Sequence, residues 1–217
     1  GETSCLSKRD GKLVCHAKDP ITSGLAIDGF LEPDYFAKTG AEVFAMGAGG
    51  STIALTWHLM RTVRLPNVPS RIVVSNRSAP RLDAIREVHR GIESAVPVQY
   101  VLAPTAADND AVLKTLAPHS LVINATGLGK DAPGSPLTDA AEFPQHGIVW
   151  DLNYRGDLLF LDQARRAQTA RNLTIVDGWS YFIHGWSEVI GEVFDISIDR
   201  SADGVAALTG IANSVRK

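Results

Sequence analysis

The residues best suited to chemistry fall into four short clusters, each closing an apolar run. They are Gly47-Ala48-Gly49-Gly50-Ser51, then Asn76-Arg77-Ser78 with Arg81 a helical turn further on, Asn124-Ala125-Thr126-Gly127-Leu128-Gly129, and Asp151-Leu152-Asn153-Tyr154. The first follows the strand-like run Val43-Phe44-Ala45-Met46 and leads into a helical pattern. A glycine turn between strand and helix lets backbone N–H groups cradle a phosphate, and the helix dipole favours the negative charge. Gly47 and Gly49 match the first two glycines of G-x-G-x-x-G; Thr52 holds the third position, where a small residue can serve close helix–strand packing. Dinucleotide folds that take NAD usually carry Asp or Glu at the end of the following strand, against the ribose 2′-OH. Here that strand end carries Asn76 and Arg77, and a cation there welcomes a 2′-phosphate, so NADP is the expected cofactor. A plain glycine-rich turn and a pair of solvated arginines are the alternatives. In the third cluster the small residues let a nicotinamide ribose approach the backbone, although Asn124 could equally be a turn former. In the fourth, Tyr154 offers a hydroxyl to a substrate or is a half-buried core residue.

Positioning these clusters requires alternating strands and helices. A hairpin is expected over 5–9 and 12–17 around Asp10-Gly11, then a helix over 22–38 interrupted by Pro33. The nucleotide unit follows as strand 42–46 and helix 50–63, whose Leu55, Leu59 and Val63 form one apolar stripe, widened by Ile53, Trp57 and Met60. Further strands are expected at 71–75, 98–102, 121–126, 148–153 and 174–176. Helices are expected at 79–91, 110–116, 158–170, 179–194 and 202–215. This alternation predicts an α/β fold with a doubly wound, mostly parallel, Rossmann-like sheet, a short N-terminal β-hairpin and C-terminal helices. Ligands then gather at the carboxyl ends of the strands.

Composition narrows the classes. The 217 residues are 45% hydrophobic, enough for a packed core, and the formal net charge of −3 without a long basic run argues against a nucleic-acid face. No apolar stretch reaches membrane-span length and no signal peptide opens the chain. The hairpin register sets Cys15 opposite Leu6 rather than Cys5, so free thiols and a cytoplasmic location are expected. The six histidines are scattered, which predicts no metal site.

Taken in order, the four clusters resemble the cofactor half of the shikimate and quinate dehydrogenases. That family's pattern is a Gly-x-Gly-Gly turn, an Asn-Arg-Thr/Ser strand end, an Asn-Ala-Thr-x-x-Gly strand end and an Asp-x-x-Tyr strand end. The segment 10–19 also resembles the family's run ending in Asn-Thr-Asp. The resemblance implies that Asp19 is the catalytic aspartate, which in the family works with a lysine to move the proton of the hydroxyl being oxidised while hydride passes to or from NADP. Without the resemblance, Asp19-Pro20 reads as a turn opener. Lys18 as a stand-in for the lysine is disfavoured by strand alternation, and a solvated lysine is expected. The chain also departs from the pattern. Ser4 sits where the family has a substrate-contacting asparagine, Ala17 and Lys18 replace Asn-Thr, and the C-terminal substrate glutamine falls on Gly185, or on His184 with a one-residue shift. Tyr154-Arg155-Gly156 lacks the proline usual after the tyrosine.

The expected assignment is therefore as follows. Residues 1–20 are the remnant of a substrate-binding domain, 21–40 a connecting helix, 41–177 an NADP-binding domain and 178–217 helices facing the missing domain. Asp19 is catalytic. Ser4, Tyr154, His184 and Gly185 meet substrate. Gly47, Ala48, Gly49, Gly50, Ser51, Asn76, Arg77, Ser78 and Arg81 hold the phosphates, and Asn124, Ala125, Thr126, Gly127 and Leu152 line the rest of the cofactor. The expected reaction is NADP-dependent, reversible oxidation of a ring hydroxyl on shikimate, quinate or a related cyclic hydroxy acid. The expected partners are a small-molecule substrate and an N-terminal substrate domain, in cis or as a separate chain; a homodimer is left open. The alternatives are a non-catalytic NADP-binding or interaction module and, ranked lower, a glutamyl-tRNA reductase-like domain.

Overall fold

A computed structural model describes residues 3–215; Gly1 and Glu2 of the opening segment and Arg216 and Lys217 of the last expected region lie outside them. Strands β1 (Cys5–Arg9) and β2 (Lys12–His16) pair as an antiparallel hairpin with Leu6 opposite Cys15, and both cysteines are free. Helix α1 (Asp19–Phe30) starts three residues before the expected 22, because Pro20 sits in the first turn, where its fixed φ suits the helix and its missing N–H costs nothing. The short α2 (Tyr35–Thr39) follows.

The remaining elements alternate: β3 (Val43–Met46), α3 (Gly50–Met60), β4 (Ile72–Asn76), α4 (Ala79–Arg90), β5 (Val98–Leu102), α5 (Ala106–Leu113), β6 (Leu121–Asn124), β7 (Ile148–Asp151), α6 (Leu159–Arg171) and β8 (Thr174–Val176). Two helices, α7 (Trp179–Phe194) and α8 (Ala202–Val215), follow. The six strands β3–β8 form one parallel sheet in the order β5-β4-β3-β6-β7-β8. The order reverses between β3 and β6, and the loops leaving those two strands part there, opening a crevice at their carboxyl ends. Apolar clusters fill both faces. One is built on Val43, Ala45, Leu55, Leu59 and Trp150, the other on Phe44, Met46, Val122, Phe143 and Phe160. A parallel sheet covered on both sides needs such unbroken apolar strands.

Three details correct the sequence reading. Helix α5 begins at Ala106 rather than 110, because Thr105 and Asp108 form a reciprocal capping box that satisfies the first N–H groups at that earlier point. Helix α3 stops at Met60; Arg61 is extended, and Val63 is 73% exposed in a short 3₁₀ turn instead of closing the apolar stripe. Trp57 is 38% exposed, with the Arg61 guanidinium over its ring at 4.9 Å, so it lies on the solvent side of α3.

Candidate active site

The glycine turn has an open, tightly packed backbone geometry. Gly47 has φ +110° and donates its N–H to Ser75 O at 2.8 Å; a Cβ on it would sit 2.6 Å from Ala125 O. The backbone of β3's end thus lies directly on the loop after β6, closer than any side chain permits. The fully buried Thr52 donates its hydroxyl to Gly47 O at 2.8 Å. The residue replacing the third glycine therefore pins the turn as well as packing against it. Gly49 caps α3, and no atom lies within 4 Å of where its Cβ would be. That open space lies at the N-terminus of α3, where the first N–H groups have no partner within the helix.

A cavity of about 570 Å³ runs from this turn along the ends of β4 and β5. Gly47, Ala48, Gly49, Asn76, Ser78 and the loop 125–127 line it, and at its far end stand Arg77 and Arg81. Both arginines are exposed, and among the described residues neither has an acidic partner. Asn76 Oδ1 accepts the Ser78 N–H at 2.9 Å, which fixes the turn into α4 and leaves that helix's first N–H groups facing the same end.

The loop after β6 is held by a buried polar network. Asn124, fully buried, donates to both Asp151 oxygens at 3.2 Å and accepts from Thr126 N (3.0 Å) and Thr126 Oγ1 (2.6 Å). Asp151 accepts the Asn153 N–H at 2.9 Å, and Asn153 Nδ2 donates to Thr126 O and Leu128 O, each at 3.1 Å. Asn124 and Asp151 are thus structural, and Asn153, which the sequence did not single out, completes the clamp. Its signal was the two Asn-bearing strand ends lying on neighbouring strands.

A second cavity, about 450 Å³, adjoins the first and shares Ala125, Thr126, Gly127 and Asp131 with it. Asp19, Ser4, Thr22 and Ser51 are among its lining residues, with Leu152, Tyr154, Tyr181 and Gly185. The structure therefore brings Asp19, Ser4, Tyr154, Gly185, Leu152 and the 125–127 loop into one cleft. His184 does not line it. That side chain is half-buried, and burial draws its pKa down against the opposing pull of Glu188.

Ser4 acts through Asp19. Its hydroxyl donates to Asp19 Oδ1 at 2.8 Å and accepts the N–H groups of Lys18 (2.8 Å) and Asp19 (3.3 Å). It thereby replaces the missing side-chain cap of α1 and aims the carboxylate into the cleft. Lys18 is neither on a strand nor solvated. It caps α1, and its ammonium, 15% exposed, pairs with Glu192 on α7, which also meets Arg9 at 2.9 Å and His16 at 3.3 Å. That latch ties the hairpin to α7 and directs Lys18 away from Asp19. Tyr181 is a further lining residue that sequence reasoning missed. Its ring packs edge-on to Trp150 at 6.0 Å, and burial raises its pKa, with a hydrogen bond to Ser51 opposing and the Asp19 charge adding to the rise.

Two buried groups titrate in opposite senses. His89 lies between Thr56 Oγ1 (2.8 Å) and the Tyr100 hydroxyl (2.7 Å), and burial pulls its pKa from 6.5 down to about 4. The unfolded chain takes up that proton first, so the stability from neutral His89 is lost as pH falls from 6.5 towards 4. Burial raises Asp151 from 3.8 to about 6, against its hydrogen bonds from Asn153 and Asn124 and the charge of Lys130. The folded chain takes up this proton first, so acidification over the window between those two values is stabilising. Each effect is on the order of 3 kcal/mol at most, and they offset. Urea unfolding is therefore expected to give a nearly flat stability across this window, whereas His89→Gln should gain stability on acidification. A variant whose stability stays as flat as the parent's, or falls with acid, would contradict the assignment.

No family model matches the chain. It is 27% identical to the shikimate dehydrogenase (NADP(+)) of Symbiobacterium thermophilum over 97% of its own length and 68% of that protein. It is 26% identical to the shikimate dehydrogenase (NADP(+)) of Lactococcus lactis subsp. cremoris over 82% of its length and 60% of that protein. The chain is thus similar to shikimate dehydrogenases over most of its length. The fold agrees with solved structures. The quinate dehydrogenase of Corynebacterium glutamicum in complex with NAD superposes with a TM-score of 0.65 at 20% identity, covering 94% of this chain and 64% of that one. The shikimate 5-dehydrogenase of Thermus thermophilus in complex with shikimate gives 0.62 at 21%, covering 97% and 67%. Among the described residues no helix is long and apolar enough to cross a membrane, and no group of His, Cys, Asp and Glu could hold a metal ion.

Proposed function

We propose that this chain is the cofactor-binding part of an NADP-dependent oxidoreductase that interconverts a ring hydroxyl and a ketone on shikimate, quinate or a related cyclic hydroxy acid. The observation that carries the reading is the join between the two cavities. A phosphate-cradling turn with two unpaired arginines at one end leads through the shared 125–127 loop to a carboxylate at the other. The residues fit the cofactor: the space beside Gly49 would admit a pyrophosphate, and Arg77 and Arg81 would meet a 2′-phosphate. When bound, NADP would exchange the hydride. Leu152 and Thr126, which line the inner cavity, would hold the cofactor there, and the Asp19 carboxylate, which Ser4 holds in place, would take the hydroxyl proton.

The proton step needs a second group beside Asp19, and Lys18 is engaged with Glu192. We infer that residues outside these 217 complete the site, in keeping with the greater length of the curated relatives. The 217-residue chain is accordingly expected to bind NADP(H) by calorimetry and to show no turnover of shikimate or quinate. Turnover at the rate of an ordinary enzyme, about 10 s⁻¹, would mean that the second group lies within the chain and that the assignment is wrong.

A further inference from the structure

One wall of the substrate cleft is aromatic, and it carries a notch. Phe182, Gly185, Trp186 and Val189 follow one another at helical spacing on α7, and all four line the cavity. No atom lies within 4 Å of where a Cβ on Gly185 would be, so the stripe is indented between its two rings. Phe182 is held by ring contacts, one of them from Tyr154, which lines the same cavity. Tyr154 packs on it with ring centroids 4.2 Å apart and Trp179 stacks on it at 5.2 Å. Trp186 meets Phe182 edge-on at 6.3 Å and remains 55% exposed. The same cavity also takes in the polar groups Asp19, Ser4 and Thr22.

A puckered polyol presents hydroxyls in several directions and would bury some of them against aromatic carbon without a partner, which is costly. A flat ring presents a π-face or C–H edges to Phe182 and Trp186 and can keep its polar groups on the opposite edge, towards Asp19. Building on the proposed function, we propose that the Phe182–Gly185–Trp186 notch selects a planar or largely unsaturated ring acid, whose single saturated carbinol carbon is the one oxidised. The oxidation itself is unchanged: the carbinol C–H leaves as hydride to the nicotinamide, the O–H proton goes to Asp19, and a C=O forms. Phe182, Gly185 and Trp186 are specificity residues in this account, and they take no part in proton transfer.

The test uses the 217-residue chain loaded with NADPH, so that an alcohol probe has no oxidant and only binding is read. Protocatechuate, a flat aromatic dihydroxy acid, and quinate, a puckered polyhydroxy acid, are titrated by calorimetry. Protocatechuate is expected to bind roughly tenfold or more tightly than quinate, as two aromatic contacts imply. Trp186→Ala removes an exposed ring and Gly185→Gln fills the notch in a way the helix tolerates. Each should bring the ratio of the two affinities close to one while leaving NADPH affinity unchanged. Quinate binding as tightly as protocatechuate, or neither acid binding to the NADPH-loaded chain, overturns the notch. Failure to bind NADPH at all would instead overturn the cofactor reading on which the proposal rests.

Discussion

Gly47→Ala is expected to unfold the chain or leave it marginal, and to abolish NADP binding in whatever fraction folds. The new methyl would lie 2.6 Å from Ala125 O and 2.9 Å from Ala125 C, both backbone atoms held by the sheet, at a φ of +110° that side chains rarely adopt. Relief requires moving β3's end away from the loop after β6, which would also disturb the Gly47–Ser75 and Thr52–Gly47 hydrogen bonds. Strain of this kind costs about 2–4 kcal/mol, a large share of an ordinary domain's stability. Gly49→Ala is the matching control. Its methyl meets no protein atom and its φ of −95° is unstrained. Stability should stay within about 1 kcal/mol of the parent, while NADP affinity falls because the methyl occupies the space left for the pyrophosphate. Urea unfolding and calorimetry on both variants check the pair. A Gly47→Ala chain with parental stability would show that the close approach of the two strand ends is not needed.

Asp19→Asn should have the second large effect. In the turnover-competent protein it is expected to lower kcat by about 10²–10⁴-fold, the usual worth of a positioned acid or base. KM for NADP should be unchanged, because Asp19 lines only the inner cavity and not the phosphate end. The asparagine can still accept the Ser4 hydroxyl, so α1 should start as before. Ser4→Ala, which removes the aim of the carboxylate but not its basicity, should cost less in kcat than Asp19→Asn does. Steady-state kinetics on the two variants decide the point; equal kcat for parent and Asp19→Asn would remove Asp19 from the chemistry.

Much of this was legible in the residues, and the parts that were not have physical reasons. The glycine turn after β3 and the exposed arginines at the end of β4 are legible because they depend on local chemistry: glycine freedom, a helix terminus and charge at a strand end. The hairpin register followed from a two-residue turn, and the structure sets Leu6 against Cys15 as expected. The start of α5 is not set by its larger apolar residues, which come later, but by the Thr105–Asp108 capping box. Val63 and Trp57 fit an apolar stripe by spacing yet face solvent, because α3 ends at Met60 and only packing decides where such a stripe meets water. The roles of Ser4, Lys18 and Tyr181 depend on contacts between elements far apart in sequence. Ser4 caps a helix begun across the hairpin, and Lys18 finds Glu192 on α7. No local pattern announces either. The choice between His184 and Gly185, open in the sequence, is one of helical phase, and the structure turns Gly185 to the cleft.

The central claim is that the end of β4 is built for a 2′-phosphate, and calorimetric titration of the 217-residue chain with NADP⁺ and NAD⁺ tests it most directly. The quinate dehydrogenase of similar fold was solved with NAD, so the fold alone does not settle the preference. Charge-assisted bonds from Arg77 and Arg81 should favour NADP⁺ by about 1.5–3 kcal/mol, roughly 10- to 150-fold, with the lower end at physiological salt because both arginines are exposed. Arg77→Ala should remove most of that preference by weakening NADP⁺ and sparing NAD⁺. Equal affinities for the two cofactors, or an Arg77→Ala change that weakens both alike, would contradict the account.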